Sequence, residues 1–365
     1  MATIQPHRSK RSMIGLDVGE CGVRAAQLVR LGDSYRLCHV ATAGIATYES
    51  ESNSGPGREQ SIRQAIKSCL CQAAFQGRSV RTALSPPDIE FHSLELPNTV
   101  SEDLDQIVCM EVKRLRGQRQ ERIETRHWVL PNTQVPAPTA IAVTAPFEDV
   151  VQTVAVCGES GANCADVDTA STALARFGCL LGAWRFEQVW GLLDLGFRQA
   201  RLTLCVEDVP VLVRTVGPGG AELTKRIAGG LGTSVKTAET HKREHGIALT
   251  ARGVRQDERR PPPSELAPIL LGILRSDLND LASEIKRSYE YVLGCYPAKR
   301  AADLILVGGG AAMGNLPEYL ADSLGITVRR ASDFLGGGSC TLSVPGGQEG
   351  FLDRASLAVG LALED

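Results

Sequence analysis

The chain has 365 residues, enough for two or three domains around a large buried core. Hydrophobic residues make up 43%, charged residues 22%, and the formal net charge is -3. These values are typical of a soluble globular protein and exclude a general attraction to nucleic acid or to a membrane surface. No apolar run is long enough to cross a bilayer, and the chain begins without an apolar signal region, so we expect a cytoplasmic protein with its 11 cysteines reduced.

The first part of the chain predicts a hairpin-rich sheet. Residues 1–12 are polar and basic, and we expect a flexible tail. Short apolar runs separated by turn residues predict strands over 12–18, 23–31, 35–43 and 80–84, with a helix over 60–75 before the last of them.

A separate small α+β unit is predicted next. The alternation over 89–96 indicates a strand, and Ser101 begins a helix whose first turn carries Glu102 and Asp103, favourable at the positive end of the helix dipole. Strands over 126–130 and 140–144 and a helix over 147–158 complete an insert over residues 88–155.

The main body then resumes with a layout that mirrors the first hairpins. The predicted strands cover 164–167, 189–195, 201–207, 209–216 and 303–307. The predicted helices cover 169–177, 219–231, 235–245, 266–293, 316–324 and 353–362. The domain prediction is a first lobe over 13–87 and 156–188 and a second lobe over 189–365, with a helical subdomain over 218–300 and a mobile loop over 251–265.

Three glycine-containing turns follow buried strands and carry the chemical signal. Asp17 and Asp194 each end a strand and are followed two residues later by Gly19 and Gly196, and residues 308–310 are three glycines. A glycine after the acid lets backbone N–H groups face a phosphate. The two acids suit Mg²⁺ held through water, and the three glycines give adenine and ribose a flat surface.

Four segments resemble those of the actin-like ATPases. They are IGLDVGECGVRAAQL at 14–28, Val167-Asp168 with ALAR at 173–176, PGGAELTKRIA at 218–228, and ILVGGG at 305–310 followed by LPEYL at 316–320. The chain most resembles the PilM family of type IV pilus assembly proteins, related in fold to the cell-division protein FtsA. The insert's LELP at 94–97 before an acidic helix also fits.

The resemblance implies a two-lobed α/β fold of the actin-like, ribonuclease H-like kind, with the α+β insert in the first lobe. It implies that ATP and Mg²⁺ bind between the lobes. The implied nucleotide contacts are Asp17, Gly19, Glu20, Cys21, Gly22, Asp194, Gly196, Arg198, Gly220, Glu222, Lys225, Gly308, Gly309, Gly310 and Met313, with Asp17 and Asp194 as the metal-linked acids.

The resemblance also implies a partner. PilM-type proteins bind the short cytoplasmic tail of the membrane-anchored protein PilN, in a groove beside the insert. We therefore expect a cytoplasmic scaffold of type IV pilus or type II secretion assembly. It would contact other assembly components, reach the inner face of the inner membrane only through its partners, and bind no nucleic acid.

Two departures from the family pattern keep alternatives open. Glu20 stands where the family has a small hydroxylic residue, and a carboxylate there repels a γ-phosphate unless it turns away. Phe197 and Arg198 follow Gly196, so an aromatic ring can block the cleft or a guanidinium can offset phosphate charge. We expect a weak ATPase at most. The alternatives are a nucleotide-free adaptor, a small-molecule kinase of the same superfamily, and an FtsA-like filament former.

Overall fold

The computed structural model describes residues 10–45, 56–84, 89–96, 101–117, 121–133, 135–249, 264–335, 340–345 and 349–364. The strands are β1 (Lys10–Arg11), β2 (Ile14–Val18), β3 (Gly22–Leu31), β4 (Ser34–Gly44), β5 (Ser79–Leu84), β6 (Glu90–Leu94), β7 (Ile123–Val129), β8 (Ala140–Pro146), β9 (Asn163–Thr169), β10 (Gln188–Leu195), β11 (Gln199–Val206), β12 (Val209–Pro218), β13 (Arg300–Val307), β14 (Val328–Arg330) and β15 (Leu342–Ser343). The helices are α1 (Pro56–Cys71), α2 (Ser101–Arg116), α3 (Phe147–Glu159), α4 (Ala170–Leu180), α5 (Gly220–Leu231), α6 (Val235–His245), α7 (Leu266–Cys295), α8 (Leu316–Leu324) and α9 (Glu349–Ala362).

Two sheets share one layout. The first has the order β15-β4-β3-β2-β5-β9, with β1 beside β3, and the second has the order β12-β11-β10-β13-β14. In each, three antiparallel strands are followed by two parallel ones: β2 pairs with β3 and β5, as β10 pairs with β11 and β13. The carboxyl ends of β2 and β10 therefore occupy equivalent places in two similar halves, each leading into a tight turn.

Helices α4 and α9 lie between the two sheets and join them. Their apolar side chains share one core with residues from both sheets, including Leu28 of β3 and Trp190 and Ile305 of the second sheet. Thr169 caps α4 by accepting a hydrogen bond from the Thr172 N–H at 3.2 Å. The helices approach each other so closely that a Cβ on Gly360 would collide with the Ala173 carbonyl oxygen.

The outer faces of the sheets are covered by different helices. Helices α1 and α3 pack on the first sheet around Ile14, Ile66 and Cys157. Helices α5, α7 and α8 bury the opposite face of the second sheet. None of the helices in the described ranges, the 30-residue α7 included, is long and apolar enough to cross a membrane.

The insert contains a three-stranded antiparallel sheet in the order β6-β8-β7 with α2 packed on it. It also touches the second lobe. The indole N–H of Trp128 donates to the Pro210 carbonyl at 2.7 Å, and the Tyr296 hydroxyl donates to the Pro131 carbonyl at 3.2 Å.

The structure differs from the sequence prediction at both ends. Lys10 and Arg11, predicted to lie in the flexible tail, form β1 against β3. The C-terminal segment, predicted to belong to the second lobe, returns to the first: β15 pairs with β4, and α9 packs on β2 and β3. The rest of the predicted tail, at 1–9, and residues 251–263 of the predicted mobile loop lie outside the described residues.

Candidate functional site

A cavity of about 410 Å³ opens between the two sheets, and we call it the cleft. It is built from the turns that follow β2, β10 and β13, together with residues of α4, α6 and α9. Its lining residues are Asp17, Gly19, Glu20, Cys21, Arg24, Ala170, Leu174, Asp194, Leu195, Gly196, Phe197, Arg201, Gly220, Glu239, Lys242, Arg243, Val307, Gly308, Gly309, Gly310, Arg354, Ser356 and Leu357. Five of these are arginine or lysine and four are aspartate or glutamate, so the cleft suits an anion better than a cation.

The two turns after β2 and β10 have the same backbone hydrogen bond. The Gly19 N–H donates to the Gly22 carbonyl at 3.0 Å, and the Gly196 N–H donates to the Gln199 carbonyl at 3.1 Å. Each turn is thus a tight hairpin whose tip points towards the other lobe, with no side chain at its first glycine.

Each cleft aspartate has an arginine opposite it on the next strand. Asp17 pairs in register with Arg24, and Asp194 with Arg201. The Arg24 guanidinium donates to the Asp17 carboxylate at 3.1 Å. The Nε of Arg201 is buried and has no hydrogen-bond partner in the described part of the chain, so it is a donor still available to a ligand.

Both aspartates have a pKa above the usual value for a carboxyl group. Burial raises the pKa of Asp17, and Arg24 only partly offsets that effect. Burial also raises the pKa of Asp194, and the nearby Asp17 raises it further against the opposing charge of Arg201. Both carboxyl groups line the same cavity, so both lie on the surface that a ligand in the cleft would contact.

The glycines after β13 form a shelf against β10. Gly308 has a φ of +86°, and a Cβ there would collide with Oδ1 of Asp194. A Cβ on Gly310 would lie 2.8 Å from the Cβ of Leu195, whereas a Cβ on Gly309 would meet nothing within 4 Å. The backbone of Gly309 therefore faces open space, as a surface for a flat ring requires.

Helix α6 brings a buried lysine to the cleft. The Lys242 ammonium donates to the Gly220 carbonyl at 2.9 Å and the Thr224 hydroxyl at 2.7 Å, and it pairs with Glu239 at 2.6 Å. Burial lowers the pKa of Lys242. Burial opposes ionisation of Glu239, but its hydrogen bonds with Lys242 and Thr224 outweigh that effect and lower its pKa.

Cys21 lies beside this group at the first turn. Burial, reinforced by the neighbouring Glu20, raises the pKa of the Cys21 thiol to about 11. The thiol therefore stays protonated at neutral pH and is a packing group rather than a nucleophile.

Comparisons with known proteins bear on the fold that holds this cleft. Residues 191–362 match the family model described as cell division protein FtsA. No curated protein sequence matches the chain significantly. Among solved structures, the chain is similar to one titled "PilM-PilN type IV pilus biogenesis complex", at 19% identity over 96% of this chain and 97% of that one, with a TM-score of 0.73.

Two further solved structures share the arrangement. The ethanolamine utilization protein EutJ from Carboxydothermus hydrogenoformans is 15% identical over 98% of this chain and 91% of its own, with a TM-score of 0.53. A diol dehydratase-reactivating factor in nucleotide-free form is 10% identical over 96% of this chain and 99% of its own, with a TM-score of 0.51.

The chain has the actin-like ATPase fold. This confirms the fold class predicted from the sequence: two α/β lobes of similar layout with a cleft between them. In this fold Asp17, Asp194 and the glycines at 308–310, which come from three distant segments, meet at one cavity.

The structure brings most of the predicted contact residues to the cleft. Those that line it are Asp17, Gly19, Glu20, Cys21, Asp194, Gly196, Gly220, Gly308, Gly309 and Gly310. Gly220 lines the cleft, but its N–H is already used within the protein. It donates to the Gly196 carbonyl at 2.9 Å and so holds the second turn.

Five predicted residues do not line the cleft. Gly22 packs against β4, where a Cβ would lie 2.7 Å from the Ala43 carbonyl oxygen. Met313 is buried in the second lobe's core. Glu222 faces Arg226, and Lys225 is exposed on α5. Arg198 extends from the tip of the second turn and forms an ion pair with Glu20 of the first turn.

The positively charged side chains that line the cleft were not predicted from the sequence. Arg24 and Arg201 carry a signal that was visible, since each follows its aspartate by the same spacing, Asp-x-Gly-x₄-Arg. Lys242 and Glu239 carry no such signal. They reach the cleft because α6 packs beside α5.

The residues present fit a polyphosphate better than a metal cage. No group of three or more His, Cys, Asp or Glu side chains that could hold a metal ion occurs among the described residues. Asp17 is engaged by Arg24. Mg²⁺ would therefore need ligand phosphates and water to complete its shell.

Proposed function

We propose that this chain is a PilM-like cytoplasmic scaffold of type IV pilus, or related type II secretion, assembly. It binds the cytoplasmic tail of a PilN-like inner-membrane partner and binds ATP in the cleft. The observation that carries the proposal is the likeness to the PilM-PilN structure, which extends over 96% of this chain and so includes the insert. The other solved structures support the fold but share less of its geometry.

The cleft supplies the contacts that a nucleoside triphosphate needs. The two hairpin turns present backbone around the phosphates, and Arg24, Arg201 and Lys242 offset their charge. Asp17 and Asp194 are the residues that would hold a Mg²⁺ ion beside the phosphates, and the ion would supply charge neutralisation there. The shelf at Gly309 supports the base.

We propose weak hydrolysis at most. A carboxylate that activates water needs a free lone pair near the attacked phosphate. Asp17 is held by Arg24, and Glu20 is held by Arg198. A carboxylate paired with a guanidinium is a poor base, so nucleotide binding rather than turnover is the useful event.

A second cavity supports the proposed peptide site. This groove, of about 530 Å³, lies between α1 and α3 at the end of β5. Its lining residues are Val18, Arg58, Glu59, Ile62, Ile66, Thr82, Ala83, Leu84, Asp149, Gln152, Thr153, Val156 and Cys157.

The groove has an apolar floor and a polar rim. Ile66 and Cys157 are buried and form part of the floor, whereas Arg58 and Asp149 are half-buried and stand at the rim. This pattern suits a short segment that places apolar side chains into pockets and charged ones at the edge. The groove also lies against α3, where the insert returns to the first lobe, which matches the position expected from the family resemblance.

Affinity capture tests the partner. The full chain is immobilised and presented with detergent-solubilised membranes of the organism that makes it. We expect recovery of an inner-membrane protein with a short cytoplasmic tail and other pilus or secretion components. Recovery of only soluble metabolic enzymes would contradict the assembly role.

Groove variants test the site. The tail of the captured partner is synthesised as a fluorescent peptide and titrated with Thr153→Glu and with Ala155→Glu. Thr153 lines the groove, whereas Ala155 is exposed on the same helix and does not. We expect Thr153→Glu to weaken binding about tenfold or more through a buried charge, with Ala155→Glu unchanged. Equal affinities for the two variants would place the peptide elsewhere.

A nucleotide-free adaptor of the same fold is the second candidate. The Glu20–Arg198 ion pair favours it, because the pair places protein charge at the phosphate end of the cleft. Thermal unfolding with Mg-ATP separates the two. A ligand at 100 times its Kd stabilises the folded state by about 2.7 kcal/mol, so an unchanged Tm at millimolar ATP would favour the adaptor.

A further inference from the structure

Glu20 and Arg198 connect the two lobes at the tips of their turns. Glu20 lies on the turn between β2 and β3, and Arg198 lies on the turn between β10 and β11. The Arg198 Nε–H donates to the Glu20 carboxylate across 178 residues of sequence. The side chains are 31% and 53% exposed for Glu20 and Arg198, so the pair lies at the solvent edge of the cleft.

The backbone beneath Arg198 is fixed, so only its side chain is free to move. The start of α5 holds the second turn through three hydrogen bonds. The N–H groups of Gly219, Gly220 and Ala221 donate to the carbonyls of Arg198, Gly196 and Phe197 at 2.8, 2.9 and 2.9 Å. A Cβ on Gly219 would lie 2.5 Å from this turn, which confirms how tightly helix and turn are packed.

An exposed ion pair of this kind is weak and easily exchanged. It gains little in water and is screened by salt. A polyphosphate offers Arg198 more negative charge than one carboxylate and accepts two parallel N–H bonds from a guanidinium. Glu20 lines the cleft, so a phosphate entering there meets its carboxylate unless Glu20 turns away.

We propose that Glu20 and Arg198 form a clasp across the cleft, and that a polyphosphate opens it by taking the Arg198 guanidinium from Glu20. The inference rests on the proposed nucleotide binding and adds what the site recognises. Ligands whose phosphate chain reaches the turns open the clasp, and a nucleoside monophosphate leaves it closed. The number of phosphates on the ligand thereby decides whether the Glu20–Arg198 ion pair between the lobes is broken.

Calorimetric titration of the full chain with Mg-ATP, Mg-ADP and AMP tests the exchange. We expect Glu20→Gln to tighten ATP binding about threefold to tenfold, because the competing carboxylate is removed, and to change AMP binding less than twofold. Arg198→Gln should weaken ATP binding about tenfold. Arg214→Gln, which breaks another Arg–Glu pair whose two residues do not line the cleft, is the control and should match the wild type.

A chemical cross-link reports the clasp without depending on affinity. In Arg198→Lys, a carbodiimide joins the introduced amine to the Glu20 carboxylate as an amide, which mass spectrometry of the digested chain detects. We expect the product without ligand, and we expect Mg-ATP and tripolyphosphate, but not AMP, to suppress it. Glu20→Gln with Arg198→Lys should give no product.

The outcomes separate this inference from the proposed function. ATP that binds by calorimetry but leaves the cross-link yield unchanged would reject the clasp alone. Equal effects of Glu20→Gln on ATP and AMP would do the same. If the wild-type chain binds neither ATP nor ADP, nucleotide binding itself is rejected, and with it the opening of the clasp.

Discussion

The cleft joins acids that are costly to ionise with arginines on the neighbouring strand. Asp17 and Asp194 have raised pKa values because burial disfavours their charged forms. An enzyme or switch that binds Mg-nucleotide gains from this arrangement, since the incoming cation relieves the penalty only when the ligand is present. On the proposed function, the cost of burying these two acids in the free chain is offset only when Mg-nucleotide binds.

Asp194→Asn should therefore stabilise the free chain at neutral pH. Asp194 has a folded pKa above its unfolded value, so its favourable contribution exists at low pH and is lost as pH rises through the folded pKa. Asparagine does not undergo that loss. We expect a Tm gain of about 1–3 °C at pH 7 that shrinks as pH falls towards about 4, measured by calorimetry.

The same variant should respond less to Mg-ATP, because it lacks one of the two carboxylates that would hold the metal. Asp208→Asn, the same change on an exposed turn of the second sheet, is the control and should alter neither property. If Asp194→Asn is less stable than the wild type at neutral pH, the prediction is wrong, and neighbouring groups stabilise the ionised Asp194 carboxylate.

Two glycines of the shelf are expected to have different roles, Gly308 in the stability of the fold and Gly309 in ligand binding. Gly308→Ala places a Cβ against Asp194 at a positive φ, and we expect a loss of about 2 kcal/mol or more in the free energy of unfolding. Gly309→Leu projects into open space, so the fold should tolerate it while ATP binding is lost. Urea unfolding and calorimetric titration measure the two effects. Equal ATP affinity of Gly309→Leu and wild type would move the base away from this shelf.

The sequence predicted single residues well where a local pattern carried the chemistry. Asp17, Asp194 and the glycines at 308–310 belong to strand–turn patterns whose geometry is local. Lys242 reaches the cleft only because α6 packs beside α5, and no local pattern encodes that contact. The Glu20–Arg198 pair likewise depends on how two lobes face each other, although each residue stood out in the sequence by its charge.

Helices α4 and α9 set the distance between the sheets, and glycines make that distance short. A Cβ on Gly360 would collide with the Ala173 carbonyl of α4, and a Cβ on Gly15 would collide with the Ala358 carbonyl of α9. The cleft lies at one end of this packing, since Arg354, Ser356 and Leu357 of α9 line it. The spacing of the lobes is thus fixed by backbone contact.

Gly360→Ala should destabilise the chain despite the higher helix propensity of alanine. The clash with the α4 backbone forces the helices apart, and we expect a loss of about 1–3 kcal/mol in the free energy of unfolding. Gly350→Ala on the same helix meets nothing within 4 Å and should be neutral or slightly stabilising. Urea denaturation compares them, and equal stability of the two variants would argue against a rigid α4–α9 contact.

The bounds of the longer helices were predicted more accurately than the positions of the helices and strands in the fold. Helix α6 has the predicted bounds because Ser234 caps its start and Gly246 ends it. Helix α7 exceeds its prediction by two residues, since apolar periodicity marks its buried face but not its last residue. The short strands β14 and β15 were missed, since three and two residues carry no periodicity. The return of β15 and α9 to the first lobe is a long-range contact that periodicity does not report.

The two halves of the molecule have the same strand order, and their equivalent turns carry side chains of opposite charge. In the first half the strand β2 leads to Glu20, and in the second half the equivalent strand leads to Arg198. Duplicated architecture with complementary charges at the tips thus joins the two lobes by an ion pair across the cleft. The sequence predicted the duplication, but the closing contact appears only when both halves are assembled.

Strand β2 also links the cleft to the groove. Asp17 lines the cleft and the next residue, Val18, lines the groove between α1 and α3. Successive residues of a strand point to opposite faces, so any displacement of β2 by a ligand in the cleft would also move the groove wall. The proposed nucleotide and peptide sites therefore share one structural element.

We accordingly expect the partner's tail peptide and Mg-ATP to change each other's affinity, by about fivefold or more and by the same factor in both directions, because binding linkage is reciprocal. Fluorescence anisotropy of the peptide with and without saturating Mg-ATP gives one factor, and calorimetry of ATP with and without peptide gives the other. Thr153→Glu should abolish the peptide's effect on ATP binding while leaving ATP affinity intact. If both ligands bind together with unchanged affinities, β2 transmits nothing, and the cleft and groove are independent sites on one scaffold.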